Sequence, residues 1–262
     1  MTRGLLRWYY LLLLLLLYLP LGMLLLFSIN EGTSLSFPLR GVTFDWYRSM
    51  FDNGQLLGAV GNSALVASGA ATAATILGTC ASLAITRFDF RGKGVFLLAA
   101  LLPLVVPFII LGVSLLILFS ALGVSRSLWT VAAGHTVVAL PFALLVMMAR
   151  LVGFPRSVEE AARDLGASYF YTLRRVIVPM VAPAMLAAWL VAFTVSVDEF
   201  VIASFTVGRD PTLPVYIFGQ LRFANRFPQV VALSTLTMLV SIGLVVLAER
   251  LRRSGPGEAK AA

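Results

Sequence analysis

Long apolar runs recur along this sequence, and they constrain its fold more than any other feature. A membrane-spanning helix needs about 20 predominantly apolar residues. Six stretches of this kind are separated by polar or turn-rich segments, and the first contains seven consecutive leucines, Leu11 to Leu17. Hydrophobic residues make up 60% of the 262, against roughly 45–50% in soluble domains. We therefore predict an all-α integral membrane protein with six transmembrane helices, forming a single domain over residues 1–262. The predicted spans cover about 8–28, 57–85, 95–122, 128–148, 181–205 and 230–248.

Basic residues are distributed unevenly around these spans. With the N-terminus inside, fourteen of the twenty Lys and Arg residues fall in inner segments and six in outer segments. Because cytoplasmic loops are enriched in Lys and Arg, both termini are predicted to be cytoplasmic. This topology also accounts for the net charge of +8, so the lipid bilayer is the expected partner of the chain's surface and nucleic acid is not.

The central loop, residues 150–179, contains the longest polar, helix-prone segment and is predicted to lie in the cytoplasm. Ser157 and Glu160 form a capping-box pattern that predicts the start of a short helix. Gly166 is expected to end this helix, because glycine adopts the left-handed conformation without steric cost. Ser168 is predicted to cap a second helix, which Pro179 kinks by removing a backbone donor. The exposed face would present a small-residue surface suited to a groove on another protein: Glu160, Ala161, Ala162 and Gly166.

The spacing in this loop resembles the cytoplasmic EAA loop of permease subunits of binding-protein-dependent ABC importers. The resemblance rests on Glu160-Ala161-Ala162, on Gly166 four residues later, and on an aliphatic run that ends at Pro179. The family's pattern ends in Ile-x-Leu-Pro, whereas Val176 and Val178 occupy the Ile and Leu positions here. In that family the loop forms the coupling helices that dock on the ATPase subunits.

The resemblance implies the type I ABC importer permease fold in a bacterial inner membrane. It also implies several partners: two ATPase subunits, a second related permease and a substrate-binding protein. This sequence contains no G-x-x-x-x-G-K-[ST] phosphate-binding motif, so ATP and Mg would be bound by the ATPase subunits. The chain is therefore expected to need no cofactor itself and not to be an enzyme.

Further segments resemble the spermidine/putrescine permease subunits of such importers, over nearly the whole chain. These segments are Asn62-Ser63, His135 with Pro141-Phe142, the text from Glu160 to Ser168, Ser196 to Phe200, and Thr212 to Pro214. The resemblance implies a polyamine substrate. Related permeases serve iron(III), phosphonate or opine substrates, and these remain alternatives.

Two adjacent acids, Asp198 and Glu199, lie within the fifth predicted span. A carboxylate in hydrocarbon costs about 2.5–3.5 kcal/mol on insertion scales, so such a residue usually faces a cavity or a partner. Adjacent helical positions diverge by about 100°. One acid could therefore line a substrate pathway while the other bonds a neighbouring helix, and a buried acid satisfied by nearby groups is the alternative. Thr194, one turn before Asp198, suggests a polar stripe.

Aromatic residues could supply cation–π contacts to a polyamine, and carboxylates could replace its lost water. The candidates beside the two acids are Phe200, Trp46 and Tyr47, although Trp46 and Tyr47 could equally anchor the chain at the membrane interface. The single histidine, His135, is expected to pack between helices or to relay protons. Cys80 is the only cysteine, so no internal disulfide or cysteine-based metal site is expected.

Two other functional classes remain open on sequence grounds. A channel or secondary transporter would work without an ATPase, but no inverted repeat is evident. A membrane-embedded enzyme would need a reactive group of residues, and Asp198-Glu199 with His135 gives little support for one.

Overall fold

The computed structural model describes residues 3–33 and 36–253, and this part of the chain is built from α-helices. The helices are α1 (Arg3–Ser28), α2 (Asp45–Phe51), α3 (Gly54–Arg87), α4 (Lys93–Leu101), α5 (Phe108–Ala121), α6 (Leu128–Val152), α7 (Arg156–Asp164), α8 (Tyr169–Thr172), α9 (Val178–Asp198), α10 (Val201–Thr206), α11 (Leu213–Gln220) and α12 (Phe227–Arg253). Short 3₁₀ turns at Leu102–Leu104 and Ala224–Arg226 and a π turn at Leu173–Ile177 complete the described secondary structure.

Five helices of the described chain are long and apolar enough to cross a membrane. They are α1, α3, α6, the continuous helix Tyr169–Asp198 that includes α9, and α12. The third predicted span, residues 95–122, corresponds to α4 and α5, which are bent by 103° at a short break. The all-helical membrane fold is therefore confirmed.

The prediction of one continuous helix over residues 95–122 is wrong. Pro103 lies in the 3₁₀ turn that follows α4, and Pro107 precedes α5 with an extended backbone, at ψ 131°. Each proline lacks a backbone donor and crowds the preceding turn, and the residue before a proline is disfavoured in the helical region. Two prolines four residues apart thus break the helix instead of being absorbed within it.

The fifth predicted span is also interrupted. Helix α9 ends at Asp198, Glu199 is extended with ψ 117°, and the six residues Val201–Thr206 form the separate helix α10. Neither glycine nor proline marks this break in the sequence. The side chain of Glu199 stabilises the break, as described below.

The chain divides into two compact units, which we describe separately. The first comprises residues within Met1–Gly58 and Tyr216–Val240. In it the Thr235 hydroxyl donates to the Leu24 carbonyl over 3.4 Å, which joins the first part of α12 to α1. The second comprises residues within Ala59–Val215 and Ser241–Ala262. There α6 packs along α9, and α10 packs against α5 and α6.

The core of the second unit is made largely of alanine. Its buried members on α3, α6 and α9 include Ala71, Ala74, Ala139, Ala143, Ala184, Ala188 and Ala192. A β-carbon on Gly78 would lie 2.8 Å from the Leu144 backbone nitrogen, so the backbones of α3 and α6 approach closely there. Small residues permit this approach.

Candidate functional site

The central loop folds as one short helix, α7, which a glycine turn joins to the start of a longer helix. Gly166 adopts φ +85°, in the left-handed region. Its amide donates to the Arg163 carbonyl over 2.9 Å, and the Ala167 amide donates to the Ala162 carbonyl over 3.1 Å. These two bonds satisfy carbonyls at the end of α7, in the pattern of a Schellman motif. The predicted turn at Gly166 is confirmed.

The second helix of the loop begins where the sequence predicts. The Ser168 hydroxyl accepts a hydrogen bond from the Tyr171 amide over 3.3 Å. The helix does not stop at Pro179, however, because one 30-residue helix runs from Tyr169 to Asp198 through the π turn. Pro179 lies in the first turn of α9, directly after that turn. A π turn changes the hydrogen-bond ladder locally, and a proline needs no partner for its nitrogen.

The predicted capping box at Ser157 is wrong. Helix α7 begins at Arg156 after Pro155, so Ser157 lies inside its first turn. The neighbouring carboxylate Glu159, which the sequence analysis did not single out, instead points toward the end of α3 and pairs with Arg87 at 2.7 Å. This partner is 72 residues away in sequence, and no local pattern signals a contact of that range.

The loop presents a mixed acidic and apolar surface. Glu160, Ala161 and Gly166 are exposed as predicted, whereas Ala162 is half-buried. The structure adds Leu165, whose exposed fraction is 90%. A groove beside Leu165 is lined by Ala162, Gly166, Ala167, Ser168, Tyr171 and Val176.

Glu199 is held in a buried hydrogen-bond network at the break between α9 and α10. Its carboxylate accepts from the amides of Ile202 and Ala203, over 2.9 and 3.0 Å. Its Oε2 lies 3.1 Å from Nε2 of His135, and Nδ1 of His135 lies 2.7 Å from the Ser196 hydroxyl. His135 is 1% exposed and Glu199 is 5% exposed. Glu199 therefore caps α10 and ties it to α6.

Asp198 has a different environment from its neighbour. Its side chain is exposed, and its Oδ1 accepts from the Ser241 hydroxyl over 3.0 Å. Thr194 does not extend a polar stripe toward it, because the Thr194 hydroxyl is buried and donates to the Leu190 carbonyl over 2.9 Å. Phe200 is half-buried. Of the two acids, Asp198 is thus the one whose carboxylate is open to a ligand.

Trp46 and Tyr47 belong to the first unit, whereas Asp198, Glu199 and Phe200 belong to the second. The Trp46 indole nitrogen donates to the Asn30 carbonyl over 2.9 Å, and the Tyr47 hydroxyl donates to the Ser28 hydroxyl over 2.8 Å. Both aromatic side chains therefore fasten α2 to the end of α1 and the segment after it. Their polar atoms serve this packing, while their rings remain half-exposed.

Residues that could hold a metal ion are not grouped in the part of the chain that the structure describes. Within residues 3–33 and 36–253, no three His, Cys, Asp or Glu side chains lie close enough together to ligate one. His135 and Glu199 lie close together, but their polar atoms are engaged in the contacts described above.

Comparison with known proteins assigns a family to this architecture. A family model described as "Binding-protein-dependent transport system inner membrane component" matches residues 7–254. The spermidine/putrescine transport system permease protein PotC of Haemophilus influenzae is 36% identical over 239 residues, covering 90% of this chain and 92% of that protein. The putrescine transport system permease protein PotI of Escherichia coli K12 is 38% identical over 237 residues, covering 87% and 83%.

The fold is also shared with a solved transporter. A bacterial alginate ABC transporter, crystallised in complex with an alginate pentasaccharide-bound periplasmic protein, contains a chain that superposes with a TM-score of 0.71. The superposition covers 96% of this chain and 95% of that chain, at 15% sequence identity. The similarity establishes the architecture of an ABC importer permease.

Proposed function

Because the chain belongs to the family of inner membrane components of binding-protein-dependent transport systems, we propose that it forms part of the translocation pathway of a polyamine importer. The chain is a multi-pass inner-membrane protein and a transport subunit, and it is not an enzyme by itself. The proposal concerns its substrate, its partners and the residues that serve each.

The proposed substrate class rests on one observation, which is the transport systems to which the similar proteins belong. Spermidine/putrescine and putrescine permeases resemble this chain over most of its length. A polyamine is a flexible chain with several ammonium groups, so a pathway for it needs hydrogen-bond acceptors of negative charge.

Asp198 fits that requirement, and it is the only acid in the helix Tyr169–Asp198. It ends a 30-residue apolar helix, yet its side chain is exposed. The Ser241 hydroxyl donates to Oδ1 of Asp198, whereas a carboxylate can accept about four hydrogen bonds. The remaining capacity can receive an ammonium group. Anionic substrates such as phosphonates would be repelled at the same position.

Glu199 serves the same pathway indirectly. With both carboxylate oxygens bonded to amides and to His135, it has no role as a substrate ligand in our proposal. It fixes the break after Asp198 and thereby sets the direction of the Asp198 side chain. Phe200, Trp46 and Tyr47 remain candidates for contact between aromatic rings and ammonium groups.

The partners in our proposal are two ATPase subunits, a second related permease and a substrate-binding protein. The ATPase subunits would bind ATP and Mg and would dock on the central loop at Glu160, Ala161, Ala162 and Gly166. Helix α7 and the exposed Leu165 offer the surface for this docking. The excess of Lys and Arg in the segments on the same side supports cytoplasmic termini and a cytoplasmic loop.

The test begins with the tagged chain purified in mild detergent together with its co-purifying proteins. We expect an ATPase, a second permease and a cation-binding receptor. Reconstituted with that receptor, the complex should import putrescine or spermidine with ATP hydrolysis. Import should not be inhibited by excess phosphonate or by iron(III). Purification of the chain alone, with gradient-driven flux through it, would favour a channel or secondary transporter instead.

The role of Asp198 is tested in the same reconstituted system. Asp198→Asn keeps the hydrogen bond from Ser241 but removes the charge, so uptake should fall while the complex still assembles. Ser241→Ala is the matched control, since it removes the hydrogen bond and keeps the charge. Unchanged polyamine uptake by Asp198→Asn would exclude Asp198 from the pathway.

A further inference from the structure

The C-terminal end of α3 is attached to the central loop by a largely buried ion pair. The Arg87 Nε donates to Glu159 Oε1 over 2.7 Å, and Nη2 lies 2.7 Å from the same oxygen. The two side chains are only 8% and 15% exposed. The guanidinium also donates from Nη1 to the Leu151 carbonyl over 3.2 Å and lies 5.7 Å from the centre of the Phe154 ring. Arg87 thus contacts α6, α7 and the residues between them.

Two weaker contacts support the same attachment. The Arg156 guanidinium donates to the Thr86 carbonyl over 3.4 Å. The ring of Phe88, directly after α3, meets the ring of Tyr169 edge-on, with centroids 5.8 Å apart. The end of α3 therefore touches the first turn of α7 and the first residue of α8.

Helix α7 depends on such contacts because it has almost no core of its own. None of its nine residues is buried, and only Val158 packs against the apolar core of the second unit. The chain itself joins α7 to α6 and α8 through short connections. No short connection joins α7 to α3, because Glu159 and Arg87 are 72 residues apart in sequence. Direct contact between α7 and α3 is therefore made by non-covalent interactions.

We propose that Arg87 is a positioning residue that makes the end of α3 move together with α7 when an ATPase subunit displaces the central loop. This inference rests on the proposed function, because it assumes that the loop is the docking site of an ATPase. The ion pair transmits the displacement to α3, a 34-residue helix that contributes to the core of the second unit.

The burial of the pair favours a role in transmitting movement over that of an ordinary surface ion pair. Exposed ion pairs contribute little because water and salt screen them. A buried arginine with three kinds of contact resists separation from its carboxylate, since either charge left alone would be desolvated without a partner. Glu160, next to Glu159, is exposed and free to face a partner protein. Glu159 thus attaches α7 within the subunit, whereas Glu160 is available for docking outside it.

The first experiment leaves the ion pair intact. Spin labels are placed at Asp89 and Arg163, both exposed, in a Cys80→Ser background, and their distance is measured in the full complex without nucleotide and after trapping with ATP and vanadate. We expect the same distance in both states, because α3 and α7 move as one body. A distance that changes between the two states would overturn the proposal.

The second experiment separates transport from ATP hydrolysis. In proteoliposomes with the binding protein, Arg87→Gln and Glu159→Gln should each lower the ratio of polyamine imported to ATP hydrolysed by about tenfold, a common size for coupling between sites. Arg91→Gln, in the exposed turn that follows α3, is the control and should keep the wild-type ratio. The exchanged pair Arg87→Glu with Glu159→Arg should recover part of the loss.

The outcomes distinguish this inference from the proposed function. A wild-type complex without binding-protein-dependent polyamine import would refute the proposed function. A working wild type whose import-to-hydrolysis ratio is the same in both Gln variants would overturn the role of Arg87 alone. If a Gln variant does not assemble, the spin-label distance in the unaltered pair decides the matter.

Discussion

Replacing Glu199 by alanine should destabilise the protein strongly, whereas the same change at Asp198 should do so only slightly. Glu199 is 5% exposed and accepts from two amides while facing His135 at 3.1 Å. Its removal leaves the first turn of α10 without a cap and His135 without its carboxylate. Asp198 is exposed and makes one hydrogen bond, with Ser241.

The expected magnitude follows from these contacts. Removing a buried carboxylate that accepts from two amides leaves those donors unsatisfied, which costs about 1–3 kcal/mol for each of them. The lost helix cap is part of the same change and would cost about 0.5–2 kcal/mol by itself, so the two are not added. For a chain of this size, 1 kcal/mol shifts the midpoint by about 2–4 °C, so we expect Glu199→Ala to lower the apparent Tm by about 10 °C.

The assay is thermal unfolding of the detergent-purified chain. The folded fraction that remains after heating is measured by size-exclusion chromatography with fluorescence detection. Asp198→Ala should lose a single hydrogen bond of about 1 kcal/mol and shift the midpoint by only a few degrees. Glu199→Gln should fall between Glu199→Ala and wild type, since its amide oxygen can still accept one backbone N–H.

The transport assay should give the opposite order. Asp198→Ala is expected to lose polyamine uptake at near wild-type stability. An equal loss of stability in Asp198→Ala and Glu199→Ala would refute the division of roles between the two acids. A wild-type midpoint in Glu199→Ala would refute the capping role of Glu199.

Three further predictions concern the turn at Gly166, the close helix approach at Gly78 and the hydrogen bond of Trp46. Gly166→Val should cost about 1–2 kcal/mol because φ +85° is unfavourable for a side chain; ATPase co-purification should fall, while Gly58→Ala, in open space, should have no such effect. Gly78→Leu should reduce folded protein in the membrane, since its β-carbon would lie 2.8 Å from the Leu144 nitrogen; a normal yield would contradict the close approach of α3 and α6. Trp46→Phe should lower stability by about 1 kcal/mol, because the hydrogen bond from the indole to the Asn30 carbonyl is lost. Polyamine uptake should be unchanged if an aromatic ring at this position is sufficient for transport.

The sequence predicts the membrane class, most spans and the glycine turn because those features are local. Hydrophobic composition is sufficient to identify α1, α3, α6 and α12 as spans, and Gly166 needs no neighbour to explain its conformation. The resemblance of the central loop to the EAA pattern likewise depends on adjacent residues.

The breaks in the helices were harder to predict. A hydropathy profile registers the apolar character of residues 95–122 but not the direction of the chain after Pro107. The break at Glu199 depends on His135, and the pairing of Glu159 depends on Arg87; both partners lie more than 60 positions away. Only a folded chain reveals which of two adjacent carboxylates is buried, as it does for Glu159 and Glu160 and for Asp198 and Glu199.

The π turn at Leu173–Ile177 sets the rotational phase of everything that follows it in the same helix. A π turn accommodates one more residue than an α turn would in the same stretch. Relaxing it to α-helical geometry would turn the rest of the helix by about 100° about its axis. Asp198 would then leave Ser241, and the alanine face of α9 would no longer meet α6. A five-residue irregularity within the central loop thus determines which face of a 21-residue helix points into the protein.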